Sequence, residues 1–143
     1  MFIGEYNHNV DEKGRVAVPA KFRVELKGGA VIMKGFDKCL FLYTKEEFNQ
    51  LAPKIANLPF NKTNDRDIAR FLLGSAMEVD FDNQGRVTIP EYLRSFANLK
   101  KSVVITGLYN RLEIWNEADW QARRDNIEKE SNTIAEAMGE LSS

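Results

Sequence analysis

The sequence predicts an α+β protein, mostly β, in which two copies of one small unit share a core. Three observations carry that reading. A thirteen-residue block recurs 71 positions further along the chain. Short alternating apolar stretches are broken by Gly and Pro, which is strand-and-turn patterning. Helical periodicity is confined to the segment between the copies and to the C-terminal end. A unit of roughly 45 residues cannot bury a core alone, so the two copies are expected to pack face to face within the chain.

The recurring block is Asp11-Glu-Lys-Gly-Arg-Val-Ala-Val-Pro-Ala-Lys-Phe-Arg23 against Asp82-Asn-Gln-Gly-Arg-Val-Thr-Ile-Pro-Glu-Tyr-Leu-Arg94, identical at six positions. Val31 to Tyr43 then matches Val103 to Trp115 at an offset of 72, so one residue has been inserted between the blocks. Phe48 falls opposite Trp120.

In each copy an extended segment ends near Val10 or Phe81, and Asp-x-x-Gly-Arg is a turn. Aspartate can bond the backbone within it, and Gly14 or Gly85 allows a positive φ. Val16-Ala-Val and Val87-Thr-Ile alternate as half-buried strands. Pro19 and Pro90 sit where a helix begins; the short helices turn Phe22 and Leu26, or Leu93 and Phe96, inward. Strands follow near 30–34 and 39–43, and near 102–106 and 111–115, with hairpin links Gly-Phe-Asp-Lys and Gly-Leu-Tyr-Asn that look alike.

Thr44-Lys-Glu-Glu47 is a capping-box pattern opening a helix with Phe48, Leu51, Ile55 and Leu58 on one face. Pro53 is expected to kink or split it. Asn64-Asp-Arg-Asp67 opens another helix with Ile68, Phe71 and Leu72 inward, and Gly74 reads as its stop. Asn116 can cap a last helix. Beyond it Ile127, Ile134, Met138 and Leu141 give a weak amphipathic helix or a frayed end. The expected domains are 5–47, a helical connector 48–75, 76–119, and an acidic tail 120–143.

Composition narrows the function. The 143 residues carry 20 Lys and Arg against 21 Asp and Glu, for a net charge of −1. A uniformly basic, DNA-coating protein is excluded, so any nucleic-acid surface must be local. The charge is uneven: residues 1–72 hold 12 basic and 9 acidic groups, residues 73–143 hold 8 and 12. No apolar run approaches the ~18 residues of a membrane span, and no membrane association is expected. The first ten residues lack the pattern of a signal peptide. Cys39 and His8 are the single cysteine and histidine, which leaves little for a disulfide, a zinc site or a Ser/His/Asp triad. No catalytic residue, metal or cofactor is expected.

The two turns are the most informative feature. Each sets an arginine at the edge of a rigid strand, and arginine suits bidentate contact with phosphate or with guanine. Arg15 and Arg86 therefore lead the candidates. Asp11 and Asp82 could simply pair with them as surface ion pairs of ~0–1 kcal/mol. The arginines recur, however, where neighbours such as Ala20/Glu91 and Lys21/Tyr92 have drifted. Lys13 adds charge to the first turn, whereas the second has Gln84. Arg23 and Arg94 read as solvated or salt-bridged. His8 reads as a half-buried strand residue, Cys39 as a hairpin residue, and Trp115 and Trp120 as core or interface aromatics.

This constellation resembles the bacterial MraZ family of transcriptional regulators. Met1-Phe-Ile-Gly-Glu-Tyr, the Asp11–Arg23 stretch, Gly35-Phe-Asp-Lys-Cys-Leu-Phe, Gly85-Arg-Val-Thr-Ile-Pro and Asn110-Arg-Leu-Glu-Ile-Trp115 all carry the likeness, in order over about residues 1–120. It implies tandem AbrB-like swapped-hairpin β-barrel half-domains forming an intrachain pseudo-dimer, and ring-like homo-oligomers. It also implies sequence-specific binding of double-stranded DNA at short promoter repeats upstream of the division and cell-wall operon, in the cytoplasm at the nucleoid. Asp11, Gly14 and Arg15, with Asp82, Gly85 and Arg86, fall on the family's motif, and Lys13 fits the first copy. The other reading is a ring-forming assembly module without specific DNA binding.

Overall fold

A computed structural model describes residues 1–139 of the chain. The first repeat contains β1 (Phe2–Asn9), β2 (Arg15–Ala17), β3 (Ala30–Lys34), β4 (Leu40–Thr44), α1 (Lys45–Ala56) and α2 (Thr63–Ser75). The second contains β5 (Met77–Val79), β6 (Arg86–Thr88), α3 (Glu91–Phe96), β7 (Ser102–Tyr109), β8 (Leu112–Asn116), α4 (Glu117–Lys129) and α5 (Ser131–Ala137). No helix among the described residues is long and apolar enough to cross a membrane.

One antiparallel sheet runs β1-β7-β8-β4-β3-β5, and β2 pairs with β6 in a separate two-stranded ribbon. Reversing the sheet order exchanges the repeats, β1 for β5, β7 for β3 and β8 for β4. A pseudo-twofold axis therefore passes between β4 and β8, and through the ribbon where Val16 faces Val87. β1 pairs along its length with β7 of the other repeat, from Phe2 opposite Tyr109 to Asn9 opposite Ser102. β5 returns the exchange by pairing with β3. The six-stranded ladder stays open, with β1 and the three-residue β5 as its edges. An isolated Val10–Val16 bridge links it to the ribbon.

The central strands are covered on both faces. Ile32, Leu40, Leu42, Val103, Ile105, Leu112 and Ile114 point to one core with Val16, Val18, Val87 and Ile89 of the ribbon region. Phe22, Leu26, Leu93 and Ala97 from the segments after the prolines fill the same core. Val31, Met33, Phe41, Tyr43, Val104 and Trp115 point the other way and pack with Ile55 and Leu72 of the connecting helices. Phe48, Leu51, Leu58, Ile68 and Phe71 close that second layer.

The expected caps are present. The Glu47 N–H donates to Thr44 Oγ1 at 3.1 Å and the Asp119 N–H to Asn116 Oδ1 at 3.0 Å. Several local expectations are corrected. α1 runs unbroken through Pro53, because the missing N–H falls in the last turn and little helix remains to be lost. α2 passes Gly74 and ends at Ser75. Ser75 Oγ accepts from Lys34 N–H at 3.0 Å and donates to the Phe71 carbonyl at 2.8 Å, so a tertiary contact sets the stop. After Pro19 the chain makes only a 3-10 turn, Ala20–Phe22, where the second repeat makes the α3 helix.

The hairpin links also differ. Between β3 and β4 the chain takes a 3-10 turn, Phe36–Lys38, with Asp37 and Lys38 at positive φ. Between β7 and β8 Leu112 pairs with Gly107, and Tyr109 takes the positive φ. In the tail, α4 and α5 bury no residue, and Ile127, Ile134 and Met138 stay exposed. Leu141 lies outside the described residues.

Phe22 is 1% exposed and meets the Phe2 ring edge-on at 5.1 Å and the Tyr6 ring at 5.5 Å. Phe22→Ala is expected to cost about 3–5 kcal/mol of stability, read as a lowered urea midpoint at unchanged slope.

Candidate nucleic-acid interface

The two turns are built alike. Asp11 Oδ1 accepts from the N–H groups of Lys13 and Arg15, both at 2.9 Å, and Asp82 Oδ1 accepts from Gln84 and Arg86 at the same distances. Asp11 Oδ2 takes Arg15 Nε at 2.7 Å, and Asp82 Oδ2 takes Arg86 Nε at 2.7 Å. The Gly14 N–H donates to the Asp11 carbonyl at 3.0 Å and the Gly85 N–H to that of Asp82 at 2.9 Å. The glycines stand at φ 78° and 73°, a region costly for any residue with a Cβ.

The aspartates hold their arginines side-on. Nε is occupied, and no protein partner takes the terminal Nη groups among the described residues. The expected ion pair is therefore present, and it leaves the two terminal amines in the forked arrangement that suits phosphate or guanine. The backbone N–H groups donated to each carboxylate, first those of Arg15 and Arg86, hold both acids below the usual carboxylate range. Both are ionised at neutral pH.

In the ribbon Arg15 faces Thr88 and Ala17 faces Arg86. Val16 and Val87 are fully buried beneath it. Residues opposite one another in an antiparallel pair share a face, so both arginines lie on the outer face as diagonal neighbours. Their side chains are 28% and 29% exposed.

Arg23 and Arg94, read from sequence as solvated or salt-bridged, have a structural role. Arg94 lies over Gly14 and Arg23 over Gly85: a Cβ on either glycine would fall 1.8 Å from Arg94 Nη1 or 2.1 Å from Arg23 Nε. Arg94 Nη1 also donates to the Ile89 carbonyl. Each turn is thus covered by the arginine of the other repeat. The sequence signal was the recurrence of arginine nine positions after each turn glycine.

The remaining candidates stay apart from the ribbon. His8 is a half-buried β1 residue whose pKa is lowered by burial, then by Arg23. Cys39 is fully buried at its hairpin, and burial pushes its thiol far up. Trp115 donates to Glu113 Oε1 at 3.1 Å and packs on Trp120 with ring centres 5.4 Å apart. Among the described residues no group of His, Cys, Asp and Glu could hold a metal ion.

Two like turns on one exposed ribbon define a pseudo-symmetric repeat protein whose site is a surface rather than a cleft. The sequence profile of the family described as "MraZ protein, putative antitoxin-like" matches the chain twice, over residues 1–71 and 72–140. A protein of Halothermothrix orenii named Transcriptional regulator MraZ is 46% identical over 141 residues, 99% of each chain. Another of that name from Ligilactobacillus salivarius is 47% identical over 138 residues, 96% of each. The chain belongs to the MraZ family. The likeness reaches past residue 120 into the tail, so each repeat includes the helices after its last strand.

A folded carboxyl pKa below its unfolded value stabilises above the unfolded pKa and is lost as pH falls through the folded one. NMR titration is therefore expected to place the Asp11 and Asp82 midpoints below the ordinary ~3.9, with the turns melting only in acid. Gly14→Ala is expected to lower stability by upwards of about 1 kcal/mol in urea unfolding, whereas Gly28→Ala, at an open position, is not.

Proposed function

We propose that the chain is a sequence-specific DNA-binding transcriptional regulator that reads short repeats upstream of the division and cell-wall operon, its own included. One observation carries the reading: two guanidinium groups on one ribbon face, each anchored at Nε with its terminal amines free of partners among the described residues. The major groove admits a two-stranded β-ribbon, and an arginine fork matches guanine O6 and N7. The relatives named as transcriptional regulators support the same class.

In this reading Arg15 and Arg86 contact DNA. Asp11 and Asp82 orient them, Gly14 and Gly85 permit the turn, and Lys13 adds a phosphate contact. The exchanged strands β1 and β5 favour a swapped-hairpin pseudo-dimer of the AbrB type, with DNA-binding units at 5–47 and 76–119, the connector 48–75 and the acidic tail 120–143. The reading assigns no catalysis and places the protein in the cytoplasm at the nucleoid. One protomer offers few cations, too few for tight binding at physiological salt. A ring of protomers binding repeats about 10 bp apart would keep every copy on one side of the duplex and gain by effective concentration.

The test is fluorescence anisotropy on a fragment from upstream of the operon, against a shuffled fragment. The wild type is expected to prefer the native fragment strongly. The Arg15→Ala/Arg86→Ala variant is expected to lose that preference at an unchanged melting temperature. Equal binding of both fragments, retained by the variant, would leave an assembly module instead. Deleting residues 125–143 is expected to leave binding intact or slightly stronger, since the acids there repel DNA; abolished binding would refute that.

A further inference from the structure

The pseudo-symmetry of the two turns stops at their flanks. Beside the first turn lies an open concavity of about 570 Å³, lined by Asp11, Glu12, Arg94, Lys100 and Lys101 among others. Lys101 is fixed there by its backbone, whose carbonyl accepts from the Val10 N–H at 2.8 Å. Both lysines are exposed, and neither they nor Arg94 pairs with an acid among the described residues. Asp11 is committed to Arg15, which leaves Glu12 as the opposing charge. Lys13 and Arg15 extend the same positive surface along the turn.

The second turn is flanked by Gly28 and Gly29 of the first repeat, where the first turn is flanked by Lys100 and Lys101 of the second. Arg23 lies over its turn glycine, but Asp80 and Lys45 both approach Gly29, each with an atom 3.0 Å from a Cβ placed there, and their charges offset. Gln84 stands in place of Lys13. The two surfaces share a fold and differ in charge.

We infer that the concavity framed by Arg94, Lys100 and Lys101 is a phosphodiester-binding site for the DNA backbone, present at the first turn and missing at the second. The inference rests on the DNA-binding reading and deepens it: the first turn, flanked by Lys100 and Lys101 of the second repeat, grips the backbone, and the second turn contributes its arginine with little added charge. Phosphate contacts fix register and orientation without reading sequence. The lysines therefore set affinity and salt dependence, while the turn arginines set preference.

The experiment is anisotropy on the native and shuffled fragments between about 50 and 200 mM salt, with the full chain. Lys100→Ala/Lys101→Ala is expected to weaken binding to both fragments by the same factor. The slope of log affinity against log salt should become shallower by about 0.9 for each phosphate released. The melting temperature should not move, since both side chains are exposed. Gly28→Lys supplies the converse: Gly28 is exposed, with no atom within 4 Å of a built Cβ, and the new cation is expected to steepen the slope.

An unchanged slope in the lysine variant overturns the inference, as does a loss confined to the native fragment, which would make the lysines base readers. Wild type that binds both fragments equally sinks the sequence-specific reading, yet the slope change on the shuffled fragment still decides the phosphate site. Wild type that binds neither overturns both.

Discussion

The Val18 N–H donates to the Gly85 carbonyl at 3.0 Å, and the Ile89 N–H to that of Gly14 at 2.9 Å. Through these reciprocal bonds each turn is finished by the other repeat. The same exchange places β1 on β7 and β5 on β3, and it lays Arg94 on Gly14 and Arg23 on Gly85. An isolated repeat would lack these crossing bonds and the arginine that covers its turn. The presentation of Arg15 and Arg86 is therefore a property of the whole core. Burial of Val16 and Val87 under the ribbon, with the aspartate grip at Nε, converts that core into a fixed direction for two forks.

Features set by local chemistry were legible in the sequence. The Asp-x-x-Gly-Arg spacing encodes an aspartate that bonds the backbone two and four residues on, and a glycine at positive φ. Thr44 and Asn116, equivalent by the repeat, could be read as caps because the bonds they make lie three residues away. Features set by contacts across the chain were not legible. Gly74 is a good local stop, yet α2 continues because Ser75 is held by Lys34. Arg23 and Arg94 could be seen to recur, but spacing alone cannot show that each crosses to the opposite repeat. The free Nη groups likewise depend on which guanidinium nitrogen the aspartate takes, a matter of side-chain geometry.

The two faces of the sheet divide the labour. Toward the ribbon the core is nearly symmetric, since Val16, Val18 and Phe22 answer Val87, Ile89 and Leu93. Toward the helices it is not. α1 and α2 bury Ile55 and Leu72 against the sheet, whereas α4 adds only the half-buried Trp120 and α5 buries no residue. The hairpins follow the same division: the first has Phe36 stacked on Phe71 at 6.0 Å, while the second leaves Tyr109 exposed. The inserted residue falls between Arg94 and Val103, beyond the ribbon whose register it would disturb.

A dimer of identical chains must carry every substitution twice. Here the connector joins both sides of the axis in one polypeptide, and the symmetry operator is replaced by a covalent link. Residues outside the exchanged strands are then free to diverge, as Gln84 has from Lys13 and Gly28 from Lys100. The outcome is a protomer with a front and a back. Placed on a double helix, whose own twofold axes erase direction, such a protomer has a heading.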